Sequence, residues 1–188
     1  LILLILSLSL LVVVIGLVTR QFVPTDAPRA ASDEASFPTL RGTNLRFEEI
    51  NIPQGLTGRY RLLVVAYNSE QQPYVEKWLG PLEALTETYP DLMGYYLPLL
   101  PQETADAALP ILGGMTLAAQ NDRDRARTIV VFTDVTAFND LVQVTDTERI
   151  QLFLLSEDHR ILWQAVGGYR PELLAELETT LANLNNPS

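Results

Sequence analysis

The stretch "RYRLLVVAYNSEQQPYVEKWLGPLEALTETY", Arg59 to Tyr89, decides the fold. Arg59 to Tyr67 is a short, continuous apolar run with β-branched side chains, the pattern of a strand buried on both faces. From Pro73 the period changes. Val75, Trp78, Leu79, Leu82, Leu85 and Tyr89 recur at helical spacing and predict one apolar helix face. Pro73 suits the first turn of that helix, where a missing N–H costs nothing. Pro81 lies inside it and predicts a kink, because it removes an interior hydrogen bond. Another apolar run comes next, at Leu92 to Leu100. Strand, polar turn, helix and strand in that order set two strands parallel through a right-handed crossover.

The flanking sequence extends the pattern. "LMGYYLPLL" (Leu92–Leu100) reads as the second strand, with Pro98 putting its end at an edge or bulge. "ETADAALPILGGMTLAAQ" (Glu103–Gln120) has helical spacing interrupted by Pro110 and the Gly113–Gly114 pair, so a broken helix is expected. "TIVVFTD" (Thr128–Asp134) is a third strand, and "FNDLVQVTDTER" (Phe138–Arg149) a short helix and turn. "IQLFLLS" and "ILWQAVGGY" flank Glu157–Asp158–His159–Arg160 as a hairpin would. "RPELLAELETTLANL" closes the chain as an amphipathic helix started by Pro171. Upstream, "FPTLRGTNLRFEEINIP" (Phe37–Pro53) alternates like a short hairpin. The sum is an α/β domain over residues 37–188: a thioredoxin-like mixed sheet with helices on both faces.

That order draws attention to the turn between the first central strand and its helix, where proteins of this plan keep a Cys-x-x-Cys pair. Here Gln71 and Tyr74 occupy the two cysteine positions, Gln72 and Pro73 stand between them, and the chain has no cysteine. Thiol–disulfide exchange needs a thiolate attacking sulfur, which neither an amide nor a phenol supplies. Oxidoreductase and peroxidase activities are therefore excluded, and no catalytic residue is assigned. The proline that thioredoxins hold in cis before the strand facing that turn is missing too, since the stretch there is "TERIQLFLL". Two readings of Gln71, Gln72, Pro73 and Tyr74 stand. They form a docking site for a peptide or carboxylate at a helix N-terminus with free N–H groups, or a helix start whose older chemistry has decayed. Capped helix starts are common, which gives the second reading weight.

Composition limits the rest. A net charge of −10, with twelve Arg and one Lys (Lys77) scattered along the chain, leaves nothing to neutralise phosphates, so nucleic acid is not an expected partner. Disulfides, thiolate metal sites and cysteine nucleophiles are absent by composition. His159, the single histidine, lies in a hairpin turn beside Asp158; one histidine without partners makes a poor metal site. "NDRDR" (Asn121–Arg125) lacks the Gly and distal Glu of a calcium loop and reads as a solvated loop. No P-loop, dinucleotide fingerprint or nucleophile elbow occurs, and no cofactor or metal is expected. Trp78 belongs to the apolar helix face. Trp163, alternating with Ile161 and Ala165, suits either the core or a partner interface, as does Tyr169.

The first eighteen residues, "LILLILSLSLLVVVIGLV", carry no charge and as a helix span about 27 Å, close to a hydrocarbon core. A buried core helix would show a polar face. A cleaved signal peptide would have a shorter apolar region and a nearby small-residue site. Residues 1–19 are therefore read as a single transmembrane anchor, and residues 20–36, rich in Pro, Ala, Ser and Asp, as a flexible linker. A lone N-terminal anchor usually exports the domain behind it, so the expectation is an inner or plasma membrane protein whose soluble domain is extracytoplasmic.

Three stretches, "FPTLRGTNL", "LLVVAYNSEQQPYVEKW" and "LFLLSEDHRILWQAVGGYRPELLAEL", resemble landmarks of the mitochondrial ATP-synthase assembly-factor family (ATPase complex subunit ten) and its bacterial relatives. The last is the most specific: a strand at Leu152–Leu155, a polar turn, Ile161 and Trp163, Gly167, then an acidic helix from Glu172. The likeness covers about Phe37 to Leu184, by pattern reading alone. It departs at Asp158–His159, where the family tends to have Gly, and in the middle region. The resemblance implies a non-catalytic, membrane-associated helper of the ATP-synthase membrane sector and supplies no catalytic residues. The expected function is thus a redox-inactive, membrane-anchored binding module, an assembly factor or accessory subunit. The alternatives are a permanent structural subunit of a respiratory or photosynthetic complex, and a degenerate member of a peroxiredoxin or thioredoxin-type enzyme lineage.

Overall fold

The apolar run at Arg59–Tyr67 forms a strand over Tyr60–Ala66, every residue of which is buried. The computed structural model describes residues 35–185 and the backbone of Arg29–Ala30. In chain order the elements are β1 (Arg29–Ala30), β2 (Leu40–Asn44), β3 (Glu49–Ile52), β4 (Tyr60–Ala66), a 3-10 turn at Ser69–Gln71, α1 (Gln72–Thr88), β5 (Leu92–Pro101), a second 3-10 segment (Gln102–Ala107), α2 (Ala108–Ala118), α3 (Asp122–Arg127), β6 (Ile129–Thr133), α4 (Val135–Leu141), β7 (Gln151–Leu155), β8 (Ile161–Val166) and α5 (Pro171–Asn185). The predicted anchor, residues 1–19, lies outside the described residues. Among the described residues no helix is long and apolar enough to cross a membrane.

One sheet of eight strands runs in the order β1-β8-β7-β4-β5-β6-β2-β3. β4 sits between parallel β5 and antiparallel β7, which explains its unbroken apolar sequence: both faces and both edges are covered. β5 and β6 are parallel, β7 and β8 form the predicted antiparallel hairpin, and β2 and β3 form the predicted upstream one. Two cores lie on opposite faces. Leu62 and Val64 of β4 join Val75, Trp78, Leu82 and Leu85 of α1 and Leu173, Leu177 and Leu181 of α5. Leu63 and Val65 point the other way, to Phe37, Phe138, Val142 and Phe153. The Phe37 ring meets those of Phe138 and Phe153 edge-on, centroids 5.7 and 5.4 Å apart. A smaller cluster of Leu45, Leu112 and Val130 seats α2.

The structure departs from the sequence expectations at several points. Leu79 is exposed and is not part of the core face of α1, because the turn from Trp78 carries it past the edge of the contact. α1 runs through Pro81 to Thr88. β5 continues past Pro98 to Pro101. Its pairing with β6, begun at Tyr96↔Thr128, lapses at 97–98 and resumes at Leu99↔Val131, where a prolyl nitrogen has no hydrogen to donate. The break expected inside Glu103–Gln120 falls earlier, before Ala108, and α2 then passes through Pro110 and both glycines; Pro110 is only its third residue, where a backbone N–H has no helical partner to lose. "NDRDR" is helical: Asn121 Oδ1 accepts from Asp124 N at 2.9 Å, with Asp in the first turn of α3 and Arg in the last, as the helix dipole favours.

The β7–β8 pairing shifts register between Leu154 and Leu155, so that Leu155 faces Ile161 and Leu154 faces Trp163. Leu162 is the extra residue of a bulge, which turns Ile161 to the opposite face from Trp163 and Ala165. Trp163 is 4% exposed and packs in the core under α1 and α5. Tyr169 also turns inward, edge-on to Trp78 at 5.4 Å. Within the stretch read as linker, Arg29 and Ala30 pair with Gln164 and Trp163, Ser36 bridges Arg160, and Ile161 N donates to Ala35 O at 2.8 Å.

Candidate functional site

The β4–α1 turn forms at the C-terminal end of the central strand because the apolar run stops at Ala66, and the chain tightens through the 3-10 turn before α1 begins. Neither Asn68 nor Gln71 caps it with a side chain. The four residues singled out by sequence do not share one environment. Gln71 is 2% exposed. Its Oε1 accepts from Tyr67 N at 2.8 Å, and its Nε2 donates to Thr147 O at 2.7 Å. The amide thus ties the turn to the loop that leads into β7. Gln72 is half-buried; its Oε1 accepts from the Tyr96 hydroxyl at 3.1 Å, and its Nε2 lies 3.4 Å from Glu76 Oε1. Pro73 and Tyr74 face outward, Tyr74 at 50% exposure.

Tyr74 has a defined base. A Cβ placed on Gly168, in the β8–α5 loop, would stand 2.9 Å from Tyr74 Cδ1, so the ring rests against the glycine backbone. Lys77 Nζ lies 5.9 Å from the ring centroid, within reach of a weak cation–π attraction. The other exposed residues of the turn and the first turns of α1 are Asn68, Ser69, Glu70, Pro73, Glu76 and Lys77.

Beneath the turn lies a polar layer that the sequence reading did not pick out. Gln151, the first residue of β7 and 1% exposed, donates through Nε2 to Asp146 O at 2.7 Å and to Arg149 O at 3.2 Å. Arg149 pairs with Asp146 at 2.6 Å. The Tyr67 hydroxyl donates to Asn139 Oδ1 at 2.8 Å, which joins the turn to α4. Burial raises the Tyr67 phenol above its ordinary range, with Asp146 adding to the shift, and pushes Tyr96 up to about 12, with Glu76 adding there. Both phenols are therefore neutral donors at physiological pH. The signal for this layer was present in sequence: a glutamine opening "QLFLL" must either reach a partner or be left unpaired in the core.

Residue 150, before β7, is Ile, and the cis X-Pro bond among the described residues is Ile52–Pro53, after β3. His159 has φ +70° in the β7–β8 turn. There Ser156 Oγ donates to Asp158 Oδ1 at 2.5 Å, and Arg160 Nε to Asp158 Oδ2 at 2.7 Å. These two bonds hold the Asp158 carboxyl below the usual carboxylate range, Ser156 being the larger cause. Among the described residues no group of three or more His, Asp or Glu side chains is arranged to hold a metal ion. Chemically the turn offers hydrogen bonds, an aromatic face and charge, and no sulfur.

No family model matches the sequence, and no curated protein matches it. Solved structures do, at low identity. A mitochondrial 2-cys peroxiredoxin from Plasmodium falciparum is 13% identical, covers 84% of this chain and 98% of its own, and superposes with a TM-score of 0.54. BsSco, of the Sco family of cytochrome c oxidase assembly proteins, is 9% identical, with coverage of 82% and 98% and a TM-score of 0.53. A thiol:disulfide interchange protein DsbE from Chlorobium tepidum is 16% identical, with coverage of 83% and 99% and a TM-score of 0.50. The fold is thioredoxin-like.

Proposed function

We propose that this chain is a redox-inactive, thioredoxin-like binding module that recognises a protein partner at the β4–α1 turn, as an assembly factor or accessory subunit of a membrane complex. The observation that carries the reading is the division of the turn. At position 71 an amide is sealed inside the protein, while the residue at position 74 stands half-exposed on a fixed base. A tyrosine held in that way offers contact area with little ordering cost, the property that makes tyrosine frequent at binding hot spots. Glutamine in place of a nucleophile makes the turn a fixed support.

The resemblance of Phe37–Leu184 to the ATP-synthase assembly-factor family supports an energy-transducing client, with the membrane sector of that enzyme as the first candidate. The same sheet in BsSco, from a family of cytochrome c oxidase assembly proteins, is consistent with assembly work on this fold. An apolar anchor over residues 1–19 in the inner or plasma membrane, with the domain on its outer face, would raise the effective concentration of the turn near membrane clients. A second reading, a degenerate member of a thiol-redox lineage, is favoured by the absence of cysteine in a fold shared with a peroxiredoxin and a DsbE. The two are compatible, one concerning descent and the other present work.

The test is a mild-detergent pull-down of the tagged full chain, wild type against Tyr74→Ala. Loss of a membrane-complex subunit with the substitution supports the proposal. An unchanged set of partners removes the turn as the docking site. Recovery at one copy per mature complex, instead of on immature intermediates, would make the chain a permanent structural subunit.

A further inference from the structure

α2 is apolar on both sides. Its inner side, Ile111, Leu112 and Met115, packs on Leu45 and Val130. Its outer side presents Leu109 at 74% exposure, Pro110, Gly113, Gly114 and Leu117 at 89%. A Cβ at Gly113 or Gly114 would meet nothing within 4 Å. From Ala107 to Gln120 there is no charged residue, in a chain of net charge −10. A helix that is hydrophobic all round is ordinarily covered all round. The β2–β3 turn is tied to the C-terminal part of α2. Thr116 Oγ1 donates to Leu45 O at 3.2 Å and Arg46 pairs with Asp122; Phe47, next in that turn, is exposed.

We propose that the outer face of α2 pairs with the same face of a second copy of this chain, an interaction separate from partner docking at Tyr74. The sequence of the face is symmetric about its centre: Leu109 and Leu117 stand four residues either side of Gly113. A two-fold, antiparallel crossing at Gly113–Gly114 therefore sets Leu109 of each copy against Leu117 of the other, the self-complementarity that an isologous contact requires. The glycines allow the two backbones to approach closely at the crossing. Charge favours the same arrangement. An uncharged face lets two copies at −10 meet without apposed carboxylates. A lipid surface fits less well, because an interfacial helix is normally rimmed by Lys or Arg, and Asp106 and Asp122 bracket this one. A face of one helix and one turn is smaller than a standard interface of about 1,600 Å², so a weak dimer in the micromolar range is expected.

A cysteine-free chain makes the test direct. The full chain carrying Gly114→Cys, purified in mild detergent, is oxidised with copper phenanthroline beside a Thr179→Cys control on the exposed side of α5. The proposal expects a disulfide-linked dimer from the first and little from the second. Adding Leu117→Asp or, separately, Leu109→Asp to Gly114→Cys should cut the dimer yield about fivefold or more. The far-UV thermal melt should not change, since both leucines are exposed. Cross-linking no stronger than the control, or unaffected by either aspartate, overturns the proposal. So does cross-linking in native membranes predominantly to a different protein, or protection of the Gly114→Cys thiol from a water-soluble maleimide only when vesicles are present.

Discussion

Gln71 is the residue on which the candidate site depends, and its work is internal. Both ends of its amide are engaged with backbone, Tyr67 N and Thr147 O, at a position almost without solvent. Gln71→Ala removes both bonds and leaves a buried donor and acceptor unpaired, a loss of about 1–3 kcal/mol measurable by urea unfolding. Gln71→Glu separates the two contacts. At neutral pH its carboxylate still accepts from Tyr67 N but opposes the Thr147 carbonyl. As pH falls and the acid protonates, it can donate to that carbonyl. The variant should therefore lose stability relative to wild type at pH 7 and recover part of it near pH 4. A constant deficit across that range would show that the Thr147 contact contributes nothing.

Between strands and helices, close approach decides which substitutions are tolerated. Gly42 of β2 lies between β3 and β6, and an added Cβ would stand 2.6 Å from Ile129 Cγ2 and 2.8 Å from Val130 O. Since the carbonyl cannot move without breaking the β2–β6 pairing, Gly42→Ala should destabilise by about 1–3 kcal/mol in the same unfolding assay. Gly168→Ala is the contrasting case. Its Cβ would come nearest to the ring of Tyr74, an exposed side chain that can swing away. It should leave the melting temperature nearly unchanged while weakening partner capture. If capture is unaffected, the pose of Tyr74 is irrelevant to binding.

Elements with strong periodicity were legible in sequence, and those governed by local chemistry less so. β4, α1, the β7–β8 hairpin and α5 are set by apolar spacing alone. The bulge at Leu162 is not, because periodicity alone does not reveal an inserted residue, and it separated Trp163 from Ile161. α3 was missed because the Asn121 cap and the Asp-to-Arg order of "DRDR" outweigh the hydrophilic composition that suggested a loop. At the candidate site the four positions were legible but their directions were not. That Gln71 turns inward depends on Thr147, seventy-six residues away.

For the molecule as a whole, two buried phenols set an alkaline limit. Tyr96 is pushed up to about 12 and Tyr67 is raised as well, from an ordinary value of 10.0. The folded chain thus holds protons that the unfolded chain releases at lower pH. Their stabilising contribution is complete below pH 10 and is lost as pH rises through the folded values. The melting temperature should fall steeply between pH 10 and 12, and Tyr96→Phe should flatten the fall while lowering stability at neutral pH. An unaltered slope in that variant would assign alkaline unfolding to other groups.

Under the proposed reading, the sealed Gln71 amide is a support and the exposed Tyr74 ring recognises a partner protein. Site-specific photocrosslinking tests this most directly, with a benzophenone side chain placed at Tyr74 of the full chain in intact cells and, separately, at Thr179 on α5. The expected result is an adduct with a subunit of a membrane complex from position 74 and none from 179. Adducts of equal yield from both positions, or none from position 74 while 179 reacts, would contradict it.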